Sequence, residues 1–410
     1  MAQPLESYEP RPPEQAPLPY GRHFLDEADI AAVVAALRSD RLAHGPRVGM
    51  FEAAFAAAVE APAAAACSSG TAALHLALAA LDVGPGDVCI VPAVTFLASA
   101  TAARFCGAEV VFADVDAESG LITPATLKGA LAAAGSAAKA VVPVHLGGRI
   151  CAMDEIAHLA RGSGLMVVED ACHALGGRDA EGRLVGACAV SDAAAFSLHP
   201  VKTIAAGEGG MATACDPDRV ARMRSLANHG VTKDLDRITD PELSLGAGGR
   251  LNPWCYEQAE LGFNYRMNEL EAALGLSQLG KLERFVRRRR ELALLYDLAL
   301  EPLAPVVRPV RPGAPRQRIS PHLHQVLIDF DSAGTDRATV MRRLADAGIE
   351  TQVHYIPLYR QPYFARRYGA MRLEGAEAFY QRVLALPLFP AMRNQDIERV
   401  ACALGEALGI

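Results

Sequence analysis

The sequence has no excess of positive charge and no long apolar run. Its 40 Lys and Arg are outnumbered by 47 Asp and Glu, which gives a formal net charge of −7 at pH 7. Since no overall positive field attracts polyanions, we expect neither nucleic acid nor a membrane as a partner. No apolar stretch is long enough to span a bilayer, and the Pro- and Glu-rich residues 1–19 lack the basic and apolar parts of a signal peptide. We therefore expect a cytoplasmic protein.

Cysteine pairs and the common cofactor-binding motifs are also missing. The nine cysteines are scattered, lie mostly inside apolar runs and form no C-x-x-C pair, so we expect reduced, buried thiols. There is no G-x-x-x-x-G-K-[ST] and, after the first strand, no G-x-G-x-x-G, which argues against a P-loop and a Rossmann dinucleotide site. Four histidines match no zinc-binding spacing, so no metal site is predicted: His145, His173, His199 and His229.

What is present is an alternation of short β-branched runs with helical patterns. Each run is continuous and apolar, as expected of strands covered on both faces: residues 88–91, 109–112, 140–144, 165–168 and 193–196. This pattern predicts an α/β fold with a mostly parallel sheet sandwiched by helices. A connection rich in Pro and Arg, residues 302–318, leads into a smaller α/β unit. We divide the chain into an extended segment 1–25, a large domain 26–285 and a small C-terminal domain 286–410.

Three stretches in the second half of the chain have clear patterns but no catalytic motif. Residues 231–251 are polar and rich in Gly, Asp and Arg, which predicts a loop. Residues 269–282 predict a helix. The arginine run 287–290 lies in a further long helix and is typical of a solvated face that crosses between domains.

The stretch 196–210 is the strongest candidate for chemistry. It reads Phe-Ser-Leu-His-Pro-Val-Lys-Thr-Ile-Ala-Ala-Gly-Glu-Gly-Gly and follows a predicted strand. Its only lysine, Lys202, has small and apolar neighbours and precedes a glycine-rich turn. Such surroundings lower the pKa of an amine and make it nucleophilic. We predict that Lys202 forms a Schiff base with an aldehyde.

Two upstream features supply the other parts of a site for pyridoxal 5′-phosphate (PLP). A serine at 68 or 69 can cap a helix whose first amides, at Gly70 and Thr71, would face a phosphate, although an ordinary helix cap has the same sequence. Asp170 ends a predicted strand, where it could contact a protonated ring nitrogen or serve as a cap or turn residue. A phosphate anchor, an acid and an amine together are the groups that PLP requires.

Four motifs, in order and spacing, resemble those of the DegT-type sugar aminotransferases. They are Cys67-Ser-Ser-Gly-Thr-Ala-Ala-Leu-His, Glu169-Asp-Ala-Cys-His-Ala-Leu-Gly, Phe196-Ser-Leu-His-Pro-Val-Lys and Leu261-Gly-Phe-Asn-Tyr-Arg-Met. The resemblance runs from about Leu25 to the C-terminus. It implies a PLP-dependent transferase of fold type I that acts on a nucleotide-linked keto-sugar. It also implies a homodimer with active sites shared between the subunits.

The resemblance implies roles for individual residues. Lys202 would carry the cofactor and move the proton, Asp170 would contact the pyridinium nitrogen, and His173 would touch the side of the cofactor's 3-hydroxyl. Other residues would stack on the ring, bind the phosphate or reach it from the neighbouring subunit: Phe96, Gly70, Thr71, Ser197 and Asn264. Phe96 could instead be plain core. Because some family members have histidine in place of the lysine and dehydrate their substrate, Lys202 indicates transamination.

Further strings are similar to the branch of the family that serves pseudaminic acid biosynthesis. They include Ala171-Cys-His-Ala-Leu-Gly, Trp254-Cys-Tyr-Glu-Gln and Val353-His-Tyr-Ile-Pro-Leu-Tyr-Arg-Gln-Pro-Tyr. This likeness implies amino transfer from glutamate to C4 of a UDP-linked 4-keto-6-deoxy-N-acetylhexosamine, giving UDP-4-amino-4,6-dideoxy-N-acetyl-β-L-altrosamine (EC 2.6.1.92). It places His354 and Tyr355 near the cofactor or the sugar, and Tyr359 or Arg360 near the nucleotide. Three residues of the family motifs are further candidates for substrate contacts: His199, Tyr265 and Arg266. His199 could equally be a packing residue, and the turn at Asn264 and Arg266 could be a structural cap.

Two alternatives stay open. An aminotransferase of the same family could act on another UDP-, GDP- or dTDP-keto-sugar. A non-catalytic regulatory or ligand-binding protein could share the fold, but such a protein has no need of an amine and an acid in matched positions, as Lys202 and Asp170 are.

Overall fold

The computed structural model describes residues 17–234, 237–246, 248–250, 252–311, 315 and 317–410. Of the predicted extended segment 1–25, residues 1–16 lie outside these ranges. Leu18 pairs with Ile349 in an isolated parallel bridge and is buried, so the described part of the segment packs against the C-terminal part of the chain. No helix within the described ranges combines the length and the apolar character that crossing a bilayer requires.

The secondary structure consists of helices and strands in alternation. The helices are α1 Glu27–Leu37, α2 Pro46–Ala58, α3 Gly70–Ala80, α4 Leu97–Phe105, α5 Pro124–Ala134, α6 Met153–Gly162, α7 Pro217–Ala227, α8 Pro241–Ser244, α9 Glu269–Leu279, α10 Leu282–Leu300, α11 Arg337–Asp346, α12 Pro362–Tyr368, α13 Glu374–Arg382 and α14 Asn394–Leu408. The strands are β1 Ala63–Cys67, β2 Val88–Pro92, β3 Glu109–Ala113, β4 Ala138–Val141, β5 Met166–Asp170, β6 Ala193–Ser197, β7 Gly210–Ala214, β8 Val231–Thr232, β9 Glu257–Gln258, β10 Val307–Pro309, β11 His324–Ile328 and β12 Val383–Leu386.

A seven-stranded sheet organises the large N-terminal part of the chain. Its order is β1-β7-β6-β5-β4-β2-β3. Strand β7 runs antiparallel to both β1 and β6, and the other neighbours are parallel. Buried apolar residues of the sheet and of the surrounding helices form one continuous core. The predicted α/β fold with a mostly parallel sheet is therefore confirmed.

The sequence patterns missed two strands of this sheet and misplaced the end of a third. Strands β1 and β7 read Ala-Ala-Ala-Ala-Cys and Gly-Met-Ala-Thr-Ala, which lack the β-branched runs used for prediction. Strand β4 was expected over residues 140–144 but ends at Val141. Pro143 follows, and because proline has no N–H it cannot continue the hydrogen-bond ladder.

Two expectations about the helices after residue 268 are wrong. The predicted helix 269–282 ends at Leu279, and α10 begins separately at Leu282. The arginine run on α10 is not simply a solvated face, because Arg289 is fully buried. Its Nη1 donates hydrogen bonds to the carbonyl oxygens of His322 and Leu388, at 3.2 and 2.9 Å. Arg289 therefore fastens α10 to two distant loops.

A second, smaller core lies in the C-terminal part of the chain. Strands β10, β11 and β12 form an antiparallel sheet in that order. Buried residues of α10, α11 and α14 pack with this sheet, among them Leu292, Leu344 and Leu404. The division at residues 285 and 286 itself stays a prediction.

The cysteines and the predicted loop differ in part from expectation. All nine cysteines are free, but Cys215 and Cys402 are exposed rather than buried. The stretch 231–251 begins with β8, which pairs antiparallel with β9, and α8 lies between them. Residues 235, 236, 247 and 251 of this stretch lie outside the described residues.

Candidate active site

The candidate site lies at the carboxyl ends of β5 and β6. Asp170 is the last residue of β5, and Ser197 is the last residue of β6. The two strands are parallel neighbours, with Asp170 paired to Ala195, so their ends lie side by side. This edge of an open α/β sheet is where ligands bind.

The Asp170 carboxylate is 5% exposed and is held from two sides. Its Oδ2 accepts a hydrogen bond from the Ser99 hydroxyl at 2.6 Å, and its Oδ1 accepts one from the backbone N–H of Cys172 at 3.2 Å. The Cys172 contact is the one that a turn residue would make. The turn reading does not explain why the second oxygen has a buried hydroxyl donor of its own.

Lys202 lies in the turn that follows β6, where its backbone N–H donates to the His199 carbonyl at 2.9 Å. Burial lowers the pKa of the Lys202 amine, while the Cys172 thiol and the Asp170 carboxylate act in the opposite direction. A lowered pKa increases the fraction of neutral amine, which is the form that attacks a carbonyl carbon. The electrostatic interaction with Asp170 places the amine and the acid in one site.

The N-terminus of α3 lies against the end of β6. Ser69 caps the helix, since its hydroxyl accepts a hydrogen bond from the Ala72 N–H at 3.1 Å. A Cβ atom added to Gly70 would lie 2.7 Å from Cβ of Ser197, so only glycine permits this approach. The first-turn amides of α3 and the Ser197 hydroxyl thus occupy one corner, where the helix dipole favours an anion.

Three rings, those of Phe96, Tyr355 and His173, lie in contact beside Lys202 and Asp170. The Phe96 side chain is 52% exposed, which is at odds with plain core, and its ring centroid lies 5.9 Å from that of Tyr355. Nδ1 of His173 accepts from the Gly147 N–H at 3.2 Å, so Nε2 carries the proton and faces the Tyr355 hydroxyl at 3.4 Å. Burial, and next the Lys202 charge, hold the pKa of His173 well below its usual range. His173 is therefore neutral.

The Lys202 charge also acts on two further histidines. His354 is buried, with its ring centroid 5.7 Å from Tyr20, and burial together with the Lys202 charge lowers its pKa to about 4. His322 is also buried, and its ring centroid lies 4.4 Å from that of His173. Sequence reasoning missed His322, because it follows the Pro- and Arg-rich connection without a motif. Its place depends on the fold of the C-terminal unit.

Tyr359 and Arg360, predicted near the nucleotide, share one partner in the structure. The Tyr359 hydroxyl donates to Glu377 Oε1 at 2.7 Å, and the side chain is buried against the Phe112 ring. Arg360 pairs with the same carboxylate, and 42% of its side chain is exposed. Arg360 thus remains accessible to a ligand, whereas Tyr359 supports the packing. The predicted contacts of both residues stay predictions.

The turn before α9 and the turn after β6 hold the remaining candidates. Arg266 Nη1 donates to Asn228 Oδ1 at 2.8 Å, and the Tyr265 hydroxyl lies 3.3 Å from Nδ1 of His75. Asn264 and His199 are exposed. The cap alternative is not what the structure has, because Asn268 is the residue that caps α9. None of these four side chains is shown in contact with Lys202 within the described residues.

One acidic cluster outside this site has the spacing of metal ligands. The carboxylates of Asp154, Asp179 and Glu181 lie within 4.8 Å of one another. The Arg183 guanidinium forms ion pairs with all three. Arg183 is therefore a counter-ion that all three carboxylates share.

Comparison with known proteins agrees with this arrangement. The model of the DegT/DnrJ/EryC1/StrS aminotransferase family matches residues 23–405. The chain belongs to this family. The aminotransferase is 37% identical over 387 residues to the spore coat polysaccharide biosynthesis protein SpsC of Bacillus subtilis, a match that covers 93% of this chain and 95% of SpsC.

Two solved structures share the fold over nearly the whole chain. PseC of Helicobacter pylori, an aminotransferase involved in the biosynthesis of pseudoaminic acid, superposes with a TM-score of 0.85 at 26% identity, covering 96% of this aminotransferase and 99% of PseC. DesI, solved in the presence of its TDP-sugar product, superposes with a TM-score of 0.81 at 32% identity, covering 96% and 93%. These likenesses confirm the fold of a PLP-dependent transferase of type I.

Aminotransferases of this family depend on PLP, and so does this one. The residues at the site fit the cofactor: Lys202 has an amine of lowered pKa, Asp170 has acceptor capacity beyond its two donors, and Phe96 exposes an aromatic face. Gly70 and Ser197 leave a corner that a side chain would fill. When bound, PLP supplies an electron sink for the charge that develops at the amino-bearing carbon.

We expect Gly70→Ala to weaken PLP binding by at least about tenfold, because the added methyl group forces the N-terminus of α3 away from Ser197 at the cost of overpacking. The dissociation constant is measured by titrating the apoenzyme with PLP. Gly129→Ala is the matched control, since Gly129 is also helical and an added Cβ meets nothing within 4 Å. Equal affinities of Gly70→Ala and wild type would remove this corner from the cofactor site.

Proposed function

We propose that this aminotransferase transfers the amino group of glutamate to C4 of UDP-2-acetamido-2,6-dideoxy-β-L-arabino-hexos-4-ulose. The product is UDP-4-amino-4,6-dideoxy-N-acetyl-β-L-altrosamine, a precursor of pseudaminic acid. One observation carries the proposal: the motif around 353–363 brings Tyr355 beside His173 and Phe96, with His354 packed against Tyr355. The shared fold with PseC supports the same assignment.

The chain's own groups divide the work of amino transfer. Nζ of Lys202 takes the α-proton of glutamate and, in the second half-reaction, delivers a proton to C4 of the sugar. The lowered pKa of Lys202 suits both tasks, because a base and acid with a pKa near the working pH transfers protons most effectively. Asp170 would bind the ring nitrogen of PLP. The neutral His173 would donate a hydrogen bond through Nε2 on the side of the cofactor's 3-hydroxyl.

The groups around the Lys202 amine include aromatic rings and uncharged imidazoles. Phe96 and Tyr355 form an apolar wall, and the neutral histidines at 173, 322 and 354 bring uncharged imidazoles around the amine. Two buried arginines supply fixed positive charge near them, Arg149 acting on His173 and Arg289 on His322. These groups do not distinguish glutamate from glutamine or aspartate, so the amino donor is tested together with the sugar.

A second candidate is transamination of another UDP-, GDP- or dTDP-linked keto-sugar. The observation that favours it is the 32% identity to DesI, which was solved with a TDP-sugar product. The 37% identity to SpsC, named for spore coat polysaccharide biosynthesis, likewise extends the candidates beyond pseudaminic acid. Both candidate functions use the same chemistry at Lys202. They differ in the nucleotide sugar that the pocket accepts.

A panel of 4-keto nucleotide sugars separates the candidates. Each sugar is incubated with the holoenzyme and either glutamate, glutamine or aspartate, and the product is identified by NMR. We expect the UDP-linked L-arabino-hexos-4-ulose and glutamate to give the altrosamine product with the highest kcat/KM. Turnover of a non-UDP sugar alone would overturn the assignment to pseudaminic acid biosynthesis.

We also propose a homodimer in which Asn264 reaches the cofactor phosphate of the other subunit. Asn264 is exposed, as are large apolar side chains on and beside the first two helices, including Ile30, Leu37 and Met50. A mixing experiment tests the sharing: Lys202→Ala and Asn264→Ala are each of low activity, and their heterodimer regains one intact site. Activity that does not rise after subunit exchange, in a preparation shown to be mixed, would place Asn264 and Lys202 in the same subunit's site.

A further inference from the structure

Two buried hydroxyl groups stand in line behind the Asp170 carboxylate. Ser99 Oγ lies 2.6 Å from Asp170 Oδ2, and Thr95 Oγ1 lies 2.7 Å from Ser99 Oγ. Both side chains are almost fully buried. A carboxylate only accepts hydrogen bonds, so Ser99 donates its proton to Asp170, and Thr95 then donates to Ser99. The chain of donors has one direction, from Thr95 through Ser99 to Asp170.

Packing alone does not account for these hydroxyls. Ser99 lies in the first turn of α4, and Thr95 precedes that helix by two residues. The other buried residues of α4 are alanines: Ala98, Ala100, Ala102 and Ala103. Alanine favours a helix more than serine does, and a buried hydroxyl is costly without a partner. The two hydroxyls therefore interrupt an apolar face at the one place where it meets Asp170.

The consequence concerns the orientation of the carboxylate. Oδ2 receives the Ser99 hydroxyl and Oδ1 receives the Cys172 N–H, so the carboxylate plane is fixed from two sides. We propose that Ser99 is a positioning residue, supported by Thr95, that aims Asp170 at the ring nitrogen of PLP. This inference rests on the proposed role of Asp170. It adds two residues that act on the cofactor only through Asp170.

We expect Ser99→Ala to change the orientation of the Asp170 carboxylate while the carboxylate itself is retained. Without its donor, the carboxylate turns and interacts less directly with the protonated ring nitrogen. Since a hydrogen bond to a charged group is worth about tenfold or more in an equilibrium, we expect roughly a tenfold lower kcat and a ring-nitrogen pKa about one unit lower. KM for both substrates stays close to the wild-type value, because Ser99 touches neither.

The test uses the full-chain holoenzyme reconstituted with PLP that is labelled with nitrogen-15 in the ring. The nitrogen-15 chemical shift, followed against pH, reports protonation of the ring nitrogen independently of turnover. The variants are Ser99→Ala, Ser99→Thr, which keeps a hydroxyl and restores the signal, and Thr95→Val, which shifts the titration in the same direction by less. Thr213→Val is the matched control, because Thr213 on β7 is equally buried but donates to the Gly186 carbonyl, in a turn.

The outcomes separate this inference from the role of Asp170. A changed titration in Ser99→Ala and a smaller change in Thr95→Val support it. An unchanged titration in Ser99→Ala, while Asp170→Asn alters it, overturns the role of Ser99 alone. An unchanged titration in Asp170→Asn overturns the role of Asp170 and with it this inference. Thr95→Val still decides the matter if Ser99→Ala does not fold, since an unchanged titration there contradicts the donor chain.

Discussion

Lys202→Ala lowers kcat by roughly 10⁴-fold or more, because the substitution removes both the amine that binds the cofactor covalently and the group that moves the proton. The near-visible absorbance of the holoenzyme disappears with it. Borohydride reduction of the wild type followed by peptide mass spectrometry locates the reduced cofactor on the peptide that contains residue 202. Turnover and absorbance are measured in the same preparation.

Lys128→Ala serves as the control for Lys202→Ala. Lys128 is exposed on α5, so its loss leaves both kcat and the absorbance unchanged. Label on a different lysine, or an unchanged absorbance in Lys202→Ala, would remove Lys202 from its assigned role. Folding of the variant is checked by its circular dichroism.

Asp170→Asn lowers kcat by roughly 10²- to 10³-fold, because an amide cannot stabilise the positive charge on the ring nitrogen that the carboxylate faces. The substitution is isosteric, so the covalent link to Lys202 still forms and PLP remains bound. A low kcat with full cofactor content is the signature that distinguishes Asp170 from the phosphate-binding corner. Cofactor content is read from the absorbance after alkaline release.

Asp218→Asn is the control for Asp170→Asn. Asp218 is exposed in the first turn of α7, and loss of its charge leaves turnover unchanged. A variant Asp170→Asn that retains wild-type kcat would exclude contact between Asp170 and the ring nitrogen. Loss of PLP from the variant would instead assign Asp170 a part in binding.

The sequence was informative wherever a residue's chemistry is unusual for its neighbourhood. A lone lysine in apolar surroundings and an acid at the end of a buried strand indicated Lys202 and Asp170, and the structure brings the two together. Ser99 could not be found in this way. Ser99 follows Thr95 by four residues, and two hydroxyl residues at this spacing are ordinary at the start of a helix. Its partner Asp170 lies 71 residues away along the chain.

The errors have the same origin in contacts that are distant along the chain. The sequence of the arginine run does not distinguish a solvated arginine from a buried one. The carbonyl partners of Arg289 lie 33 and 99 residues away along the chain. Strand β7 pairs with β1 on one side and with β6 on the other, and this pairing overrides the weak strand preference of alanine and glycine. Local pattern alone cannot report such pairing.

The alanine-rich strands have a consequence for the handling and engineering of this enzyme. Alanines of β6 and β7 and the alanines of α3 face each other at close range, and the same helix presents Gly70 to Ser197. A larger side chain in this layer would tilt α3 before it unfolds the domain. Variants selected only for solubility or thermal tolerance would then accumulate as soluble apoprotein. The fraction of holoenzyme therefore reveals a displaced α3 earlier than the melting temperature does.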